Sequence, residues 1–332
     1  MKSLLIVPHL QVENANAISG MTWGFPAISN FLGFTHALSR KLEQHASHTL
    51  GGCAVVCHGH SVQAYQPSGW GDYVFSLTRN PLTKDSRSPP FVEEGRMHME
   101  VTLLIECHFS VSDLDFGGVS DEEDAAHLET WIQDQLPHHR LAGGTIATWE
   151  PVRLKKLPQQ QDAYDRFVRK TLLQLLPGFV LVDRGDLWQH HHKQVTSKDA
   201  ETALLDSWLD FIATYFKANS PEKPESSSVA ADKSTANSKW HRVPKPASGW
   251  LVPISIGYKA ISPLYKPGEV LRSRDMDTPY RFTEAVYSIG QWISPHRVRQ
   301  LESIFWRYHH EGGWYLCKNL YSRESRDTQT VN

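Results

Sequence analysis

Residues 97–109 alternate almost without fault. Met97, Met99, Val101, Leu103, Ile105, Cys107 and Phe109 take one parity; His98, Glu100, Thr102, Leu104, Glu106 and His108 take the other. A period of two held this long predicts a β-strand with one buried face and one open face. Such a strand needs hydrogen-bonded neighbours and a layer over its apolar side, so the chain must build a sheet backed by helices.

The flanking segments supply both. Residues 4–12 begin as an apolar run and turn alternating at Leu10 and Val12, which predicts a central strand. Pro26 suits a first helical turn, and Ile28, Phe31, Leu32, Leu38 and Leu42 follow at helical spacing, so 26–42 reads as a helix with one buried stripe. Gly51-Gly52 reads as a break before a strand at 53–65. Ser120 with Glu123 reads as a capping box, opening a helix that buries Leu128, Ile132 and Leu136 and stops at Pro137. A fourth strand is expected at 141–149, interrupted early by Gly143-Gly144.

The order strand, helix, strand, strand, helix, strand is that of an α+β, ferredoxin-like split unit, with helices on one sheet face and the other face free. It sets a domain at 1–150. The segment 66–96, between the second and third strands, is too long for a tight hairpin. A second domain, 151–332, is expected to hold helices at 164–176 and 200–216 and strands at 250–258 and 314–321. Thr278-Pro279 and Ser294-Pro295 read as helix starts. Residues 217–248, rich in Ser, Pro, Ala, Lys and Glu, predict a disordered insertion.

Composition excludes more than it assigns. No apolar run approaches the roughly 20 residues of a membrane span, and the start is too short for a signal peptide. Cys53, Cys57, Cys107 and Cys317 show no disulfide framework, as in a reduced, cytoplasmic protein. Net charge is −2, which announces no nucleic acid by itself. Its distribution is uneven: residues 110–135 carry eight acids and no Lys or Arg, whereas from Lys239 onward fourteen Lys and Arg face eight acids. The C-terminal part has the makings of a basic face, or only of solvated faces of mixed sign.

Eighteen histidines invite a metal or catalytic reading. Adjacent helical side chains diverge, so His190-His191-His192 does not converge on one ion. His58 and His60 share a strand face by parity, with Cys53 and Cys57 on the opposite one, which argues against a mixed zinc site. Glu93-Glu94 in a long loop reads as solvated. No GxSxG elbow, phosphate-binding P-loop or dinucleotide fingerprint occurs. No nucleophile, base and orienter can be assembled, so neither catalytic residues nor a metal or cofactor is expected.

Polar, glycine-bracketed segments with aromatics remain. Asn14 and Asn16 follow the first strand two residues apart, with amide groups suited to base edges or backbone. Ser19-Gly20 and Gly24 allow close backbone approach, and Trp23 and Phe25 are suited to stacking on bases. Arg140 with Gly143-Gly144 offers N–H groups to a phosphate. Arg272 and Arg274 lie near Gly268, and His296-Arg297 sits at an expected helix start. The alternative is that these residues only shape turns.

Longer motifs run through the same positions. They are 12–20 (VENANAISG), 22–26 (TWGFP), 31–34 (FLGF) with 36–38 (HAL), 77–82 (LTRNPL), 93–96 (EEGR), 140–144 (RLAGG), 176–179 (LPGF), 249–254 (GWLVPI), 262–265 (SPLY) with 267–270 (PGEV), and 294–297 (SPHR). In this order they resemble the guide-RNA 5′-handle-binding subunit (Csy family) of type I-F CRISPR surveillance, or Cascade, complexes, a member of the RAMP superfamily. The resemblance implies an RRM-like N-terminal domain with an inserted thumb, matched here by 66–96. It implies a non-catalytic role in antiviral defence against foreign DNA: binding the guide RNA handle, pairing with the large subunit, and reaching the first backbone subunit through the thumb. Target DNA is an indirect partner. Arg79, Arg96, Arg140, Arg272, Arg274 and Arg297 are then candidates for phosphate. Asn14, Asn16, Ser19, Trp23, Asn80, Gly143, Gly144 and His296 are candidates for shaping or reading the handle. The rival reading is a metal-independent endoribonuclease on a similar scaffold, with His36, His98 or His296 as general base. The insertion, the histidine run and the polar tail 322–332 depart from the family pattern.

Overall fold

The computed structural model describes residues 1–78, 82–88, 92–218, 240–273 and 275–321. Arg79, Asn80, Arg274 and the tail 322–332 lie outside these. The architecture is mixed α+β. One eleven-stranded sheet contains β1 (Ser3–Asn16), β2 (Leu50–Val62), β3 (Arg96–Cys107), β4 (Arg140–Leu141), β5 (Gly144–Thr148), β6 (Arg153–Lys156), β7 (Phe179–Asp183), β8 (Trp250–Ala260), β9 (Thr283–Ile293), β10 (Arg307–Glu311) and β11 (Trp314–Lys318). Its order is β4-β5-β1-β3-β2-β7-β9-β8-β11-β10, with β6 also on β1. Every ladder is antiparallel. Strands β7 to β11 continue the sheet of the first 150 residues through the β2–β7 pairing.

Among the described residues there are five α-helices: α1 (Ile28–Ala46), α2 (Asp121–Gln135), α3 (Gln161–Gln174), α4 (Gly185–Thr196) and α5 (Leu204–Ile212). Helix α1 starts two residues after Pro26, at an Ala27 N-cap that makes no side-chain bond. Burial fixes its place instead: Ile28, Phe31, Leu38 and Leu42 are fully buried, at roughly 1.5–3 kcal/mol for each large apolar side chain. Ser120 caps α2 as expected, its Oγ accepting from Glu123 N–H at 3.3 Å. The reciprocal bond goes elsewhere, since the Glu123 carboxylate accepts from Val119 N–H at 2.8 Å. Leu128, Ile132 and the following Leu136 are buried.

The expected free face of the sheet is only partly free. Strand β3 alternates from Met97 to Glu100, but Val101 to Cys107 is buried on both sides. One core lies beneath α1 and α2; a second packs Leu4, Ile6, Ala54, Val56 and Leu104 against Val168 and Leu172 of α3 and against Val298, Leu301, Ile304 and Phe305. Two polar residues of the predicted open face are therefore buried. Thr102 accepts from His9 N–H at 3.1 Å. Glu106 is held by a bidentate bond from Arg307 (2.8 and 2.5 Å) and by Gly52 N–H at 3.0 Å.

Other expectations shift for identifiable reasons. Gly51-Gly52 does not break the chain; both lie in β2, at a bulge between Leu50 and Cys53. A Cβ at Gly52 would run into the Trp306 carbonyl, so these glycines permit a close backbone approach. There Cys53 and Trp306 exchange both backbone bonds, at 3.0 and 2.8 Å. That bridge closes β2, β7, β9, β8, β11 and β10 into a ring. No helix follows Thr278-Pro279: residues 283–293 become β9, paired along β8. Ser294-Pro295 opens only a three-residue 3₁₀ turn, Pro295–Arg297. The helix expected at 200–216 spans Leu204–Ile212, and Phe216–Ala218 pairs instead with Trp240–Arg242. Thus both flanks of the 217–248 segment carry strand, while 219–239 lies outside the described residues. Strands β7 and β10 coincide with no segment that the local pattern marks as a strand.

Candidate nucleic-acid interface

The family-like stretch at the end of β1 forms one side of the site. Strand β1 does not stop at Val12; it bulges between Val12 and Ala15 and continues to Asn16. Asn14 sits in the bulge with φ +57°, a left-handed conformation that asparagine tolerates better than most residues. The bulge breaks the expected shared direction of the two amides. Asn14 Oδ1 accepts from Gln63 Nε2 at 2.6 Å, whereas Asn16 Oδ1 accepts from Ile18 N–H at 3.1 Å. Only Asn16 lines the open pocket of about 430 Å³ that also contains Asn30, Glu94, Gly95, Arg96 and Gly143.

Arg96 is the pocket's cation. It pairs with Glu94, and its Nη1 donates to the Asn14 carbonyl at 3.4 Å. Glu94, expected to be merely solvated, thus holds the pocket's guanidinium. The opposite wall is the β4–β5 hairpin. Its two-residue turn, Ala142-Gly143, has φ of +51° and +76°, the pattern of a type I′ turn. Gly144 matters for space: a Cβ there would lie 2.6 Å from the Glu13 carbonyl, so glycine lets β5 approach β1. Arg140 is exposed on β4, its Nη1 donating to the Gly143 carbonyl at 3.4 Å.

Ser19 pairs with Thr22, and Ile18 with Trp23, in a small hairpin whose tip is Gly20-Met21. The Tyr287 hydroxyl accepts from Met21 N–H at 2.9 Å, fixing the tip to β9. The Trp23 ring stands over Gly95, where any Cβ would collide with it. Trp23 is not part of the Arg96 pocket's lining; it walls a second, aromatic cleft of about 250 Å³ on the other side of that contact.

A family model described as CRISPR-associated protein (Cas_Csy2) matches residues 5–317. The CRISPR-associated protein Csy2 of Pseudomonas aeruginosa (strain UCBPP-PA14) is 40% identical over 317 residues, covering 93% of this chain and 92% of its own length. The chain belongs to the Csy2 family. The resemblance to type I-F Csy proteins drawn from the motifs is thereby borne out.

The remaining candidate residues of this Csy2-family chain lie elsewhere. Arg272 is exposed, with φ +58°, in the excursion between β8 and β9. His296 and Arg297 belong to the 3₁₀ turn, where His296 bonds Ser294 Oγ at 2.8 Å and borders a cleft against α3. The histidine run divides as its helical spacing predicts: His190 bonds Gln194, while His191 reaches Asp210 of α5 at 2.8 Å. No cluster suited to a metal occurs among the described residues.

The parity argument for His58 and His60 fails, because a bulge between Cys57 and Gly59 separates them. His60 pairs with Met99 and borders the aromatic cleft. His58 stacks on His9 at 4.2 Å. Its Nδ1–H donates to the Pro177 carbonyl at 2.7 Å, which leaves Nε2 to accept from Thr102 Oγ1 at 2.7 Å. Burial, opposed by the Pro177 bond, lowers the pKa of His58. All four cysteines are free and buried, and burial pushes the Cys57 thiol up to about 11, away from reactivity.

Proposed function

We propose that the chain is a non-catalytic subunit of a type I-F CRISPR surveillance complex that grips the 5′ handle of the guide RNA. The observation that carries this reading is the Asn16–Arg96–Gly143 pocket, because three separated motifs supply an amide, a guanidinium and a glycine turn to one open concavity, to which α1 adds the Asn30 amide. Arg140 at its rim would add a second cation. Phosphate would then displace Glu94 from Arg96, exchanging one charge-assisted partner for another. The antiparallel order β5-β1-β3-β2, with α1 and α2 on one face, supports an RRM-like, RAMP-type N-terminal unit. Segment 66–96 would serve as the thumb toward the first backbone subunit, and the large subunit would pair alongside. Trp70 and Tyr73, both strongly exposed there, suit a protein contact. Such a protein works in the cytoplasm, with target DNA an indirect partner; no described helix is long and apolar enough to cross a membrane.

Handle RNA binding as a function of salt tests the reading. Wild-type protein should retain the RNA with a steep salt dependence, and loss of Arg96 or Arg140 should weaken it. Retention unaffected by either change would sink it. The endoribonuclease alternative needs one histidine beside a 2′-hydroxyl. His36 lies exposed on α1, His98 bonds Gln63, and His296 bonds Ser294, three separate places. Incubation with repeat RNA and with its 2′-deoxy form decides: cleavage of the first alone would establish the alternative.

A further inference from the structure

The aromatic cleft is not explained by the fold. Trp23, Phe179 and Trp250 stand around one opening and remain 42%, 41% and 51% exposed. Large aromatic surface left in water around a concavity marks a binding site more often than a packing accident. The rings brace one another. Trp250 meets Phe179 edge-on at 5.1 Å and Trp292 at 6.2 Å, and Trp292 meets Phe25 edge-on at 4.9 Å. The walls come from four places in the chain: the 18–23 hairpin and its exit, β2, the start of β7, and the β8–β9 pair. Polar groups are few. Both nitrogens of His58 are engaged, so the imidazole of His60 is the main polar side chain at the rim.

Position narrows the occupant. Trp23 belongs to the hairpin whose Ile18 side lines the Arg96 pocket, and its ring covers Gly95 of that pocket. A strand held by its phosphates at Arg96 would therefore run next to the Gly95–Trp23 contact that divides the pocket from the cleft. An apolar, aromatic-walled slot next to a cation suits the flat face of an unpaired base, and offers little to read its edge.

We propose that this cleft takes one unstacked nucleobase of the bound RNA, held by stacking with little regard to base identity. This rests on the RNA-gripping function proposed above. The test is a cycle between protein and RNA. Handle RNAs carrying a single abasic nucleotide at each position in turn are titrated against the full-length wild-type chain, Trp250→Ala and Phe179→Ala. At one position the abasic RNA should bind wild type about tenfold more weakly, with almost no further loss in either variant. Exchanging the base at that position should cost less than removing it. Trp250 and Phe179 are half exposed, so thermal unfolding should be little changed, and either variant suffices if the other fails to fold. If no abasic position couples to Trp250 or Phe179 while Arg96→Ala still weakens binding, the cleft proposal is overturned and the handle-binding reading stands. If wild type binds none of the RNAs, both are overturned.

Discussion

Two arginine–glutamate pairs mark the two ends of β3, and they differ in what holds them. At the C-terminal end, Glu106 is buried and receives two bonds from Arg307, far away in sequence, plus the Gly52 N–H. At the N-terminal end, Arg96 pairs with Glu94, two residues away, on the wall of an open pocket. The first pair joins the N-terminal sheet to β10 beside the Cys53–Trp306 bridge. The second is local and partly exposed at a pocket wall. One strand thus carries a buried clamp at one end and, in the proposed function, a cation that an incoming phosphate would take over at the other.

Breaking the clamp should have the largest effect. Arg307→Ala strands a buried carboxylate and should cost about 3–5 kcal/mol in denaturant unfolding. Arg96→Ala should cost under about 1 kcal/mol by the same measurement, since the Glu94 carboxylate it leaves is at the surface of an open pocket and can be solvated, unlike buried Glu106. Equal losses would erase the distinction between the two pairs.

Next comes RNA affinity. Arg96→Ala should weaken handle RNA binding by roughly 1.5 kcal/mol, about tenfold, and flatten the slope of log affinity against log salt by about one. A variant at the clamp that remains folded should leave that slope unchanged.

A smaller effect, of opposite sign, is expected at Glu94. Glu94→Gln removes the competitor for Arg96 and should tighten RNA binding by about 0.5–1 kcal/mol, severalfold. Weaker binding would mean that Glu94 orients Arg96 for the phosphate and does not compete with it.

The smallest effect is a pH slope. His58 has a folded pKa below its ordinary 6.5, so the unfolded chain takes up the proton first as pH falls. Its contribution to stability is complete above about 6.5 and is lost as pH drops from there toward the folded value. His58→Gln, which keeps a donor for the Pro177 carbonyl, should flatten that part of the stability–pH curve. Glu100, lowered chiefly by its bond to His9, loses its contribution only at more acidic pH, below about 4.5. Measuring unfolding across both ranges separates the two groups.

Local pattern was legible where local physics decided. The strand after Met97, the α1 stripe and the Ser120 cap all appear near their expected places. Failures cluster where a distant partner overrides the local signal. Gly51-Gly52 looks like a break until the Trp306 backbone approaches it. Leu104 and Glu106 sit at open-face positions until α3 and Arg307 cover them. Bulges at Asn14 and His58 reverse parity without any clear sequence mark. In the candidate site, Asn16, Arg96 and Gly143 were identifiable as polar or glycine residues in motifs. Phe179 and Trp250 lie in motifs too, but nothing local says that they, with Trp292, will stand beside Trp23.

The sequence by itself determined the strand and helix order of the first half and, through its long ordered motifs, membership of the Csy2 family. The tertiary structure decided which face of the sheet stays open, which arginine is clamped to a buried carboxylate and which lines an open pocket, and that five aromatics share one cleft with Trp23 as a wall. The physical reason is range. Periodicity and capping act within a few residues, whereas burial of a charge or the exposure of a ring is set by segments more than two hundred residues apart that meet only when the sheet closes.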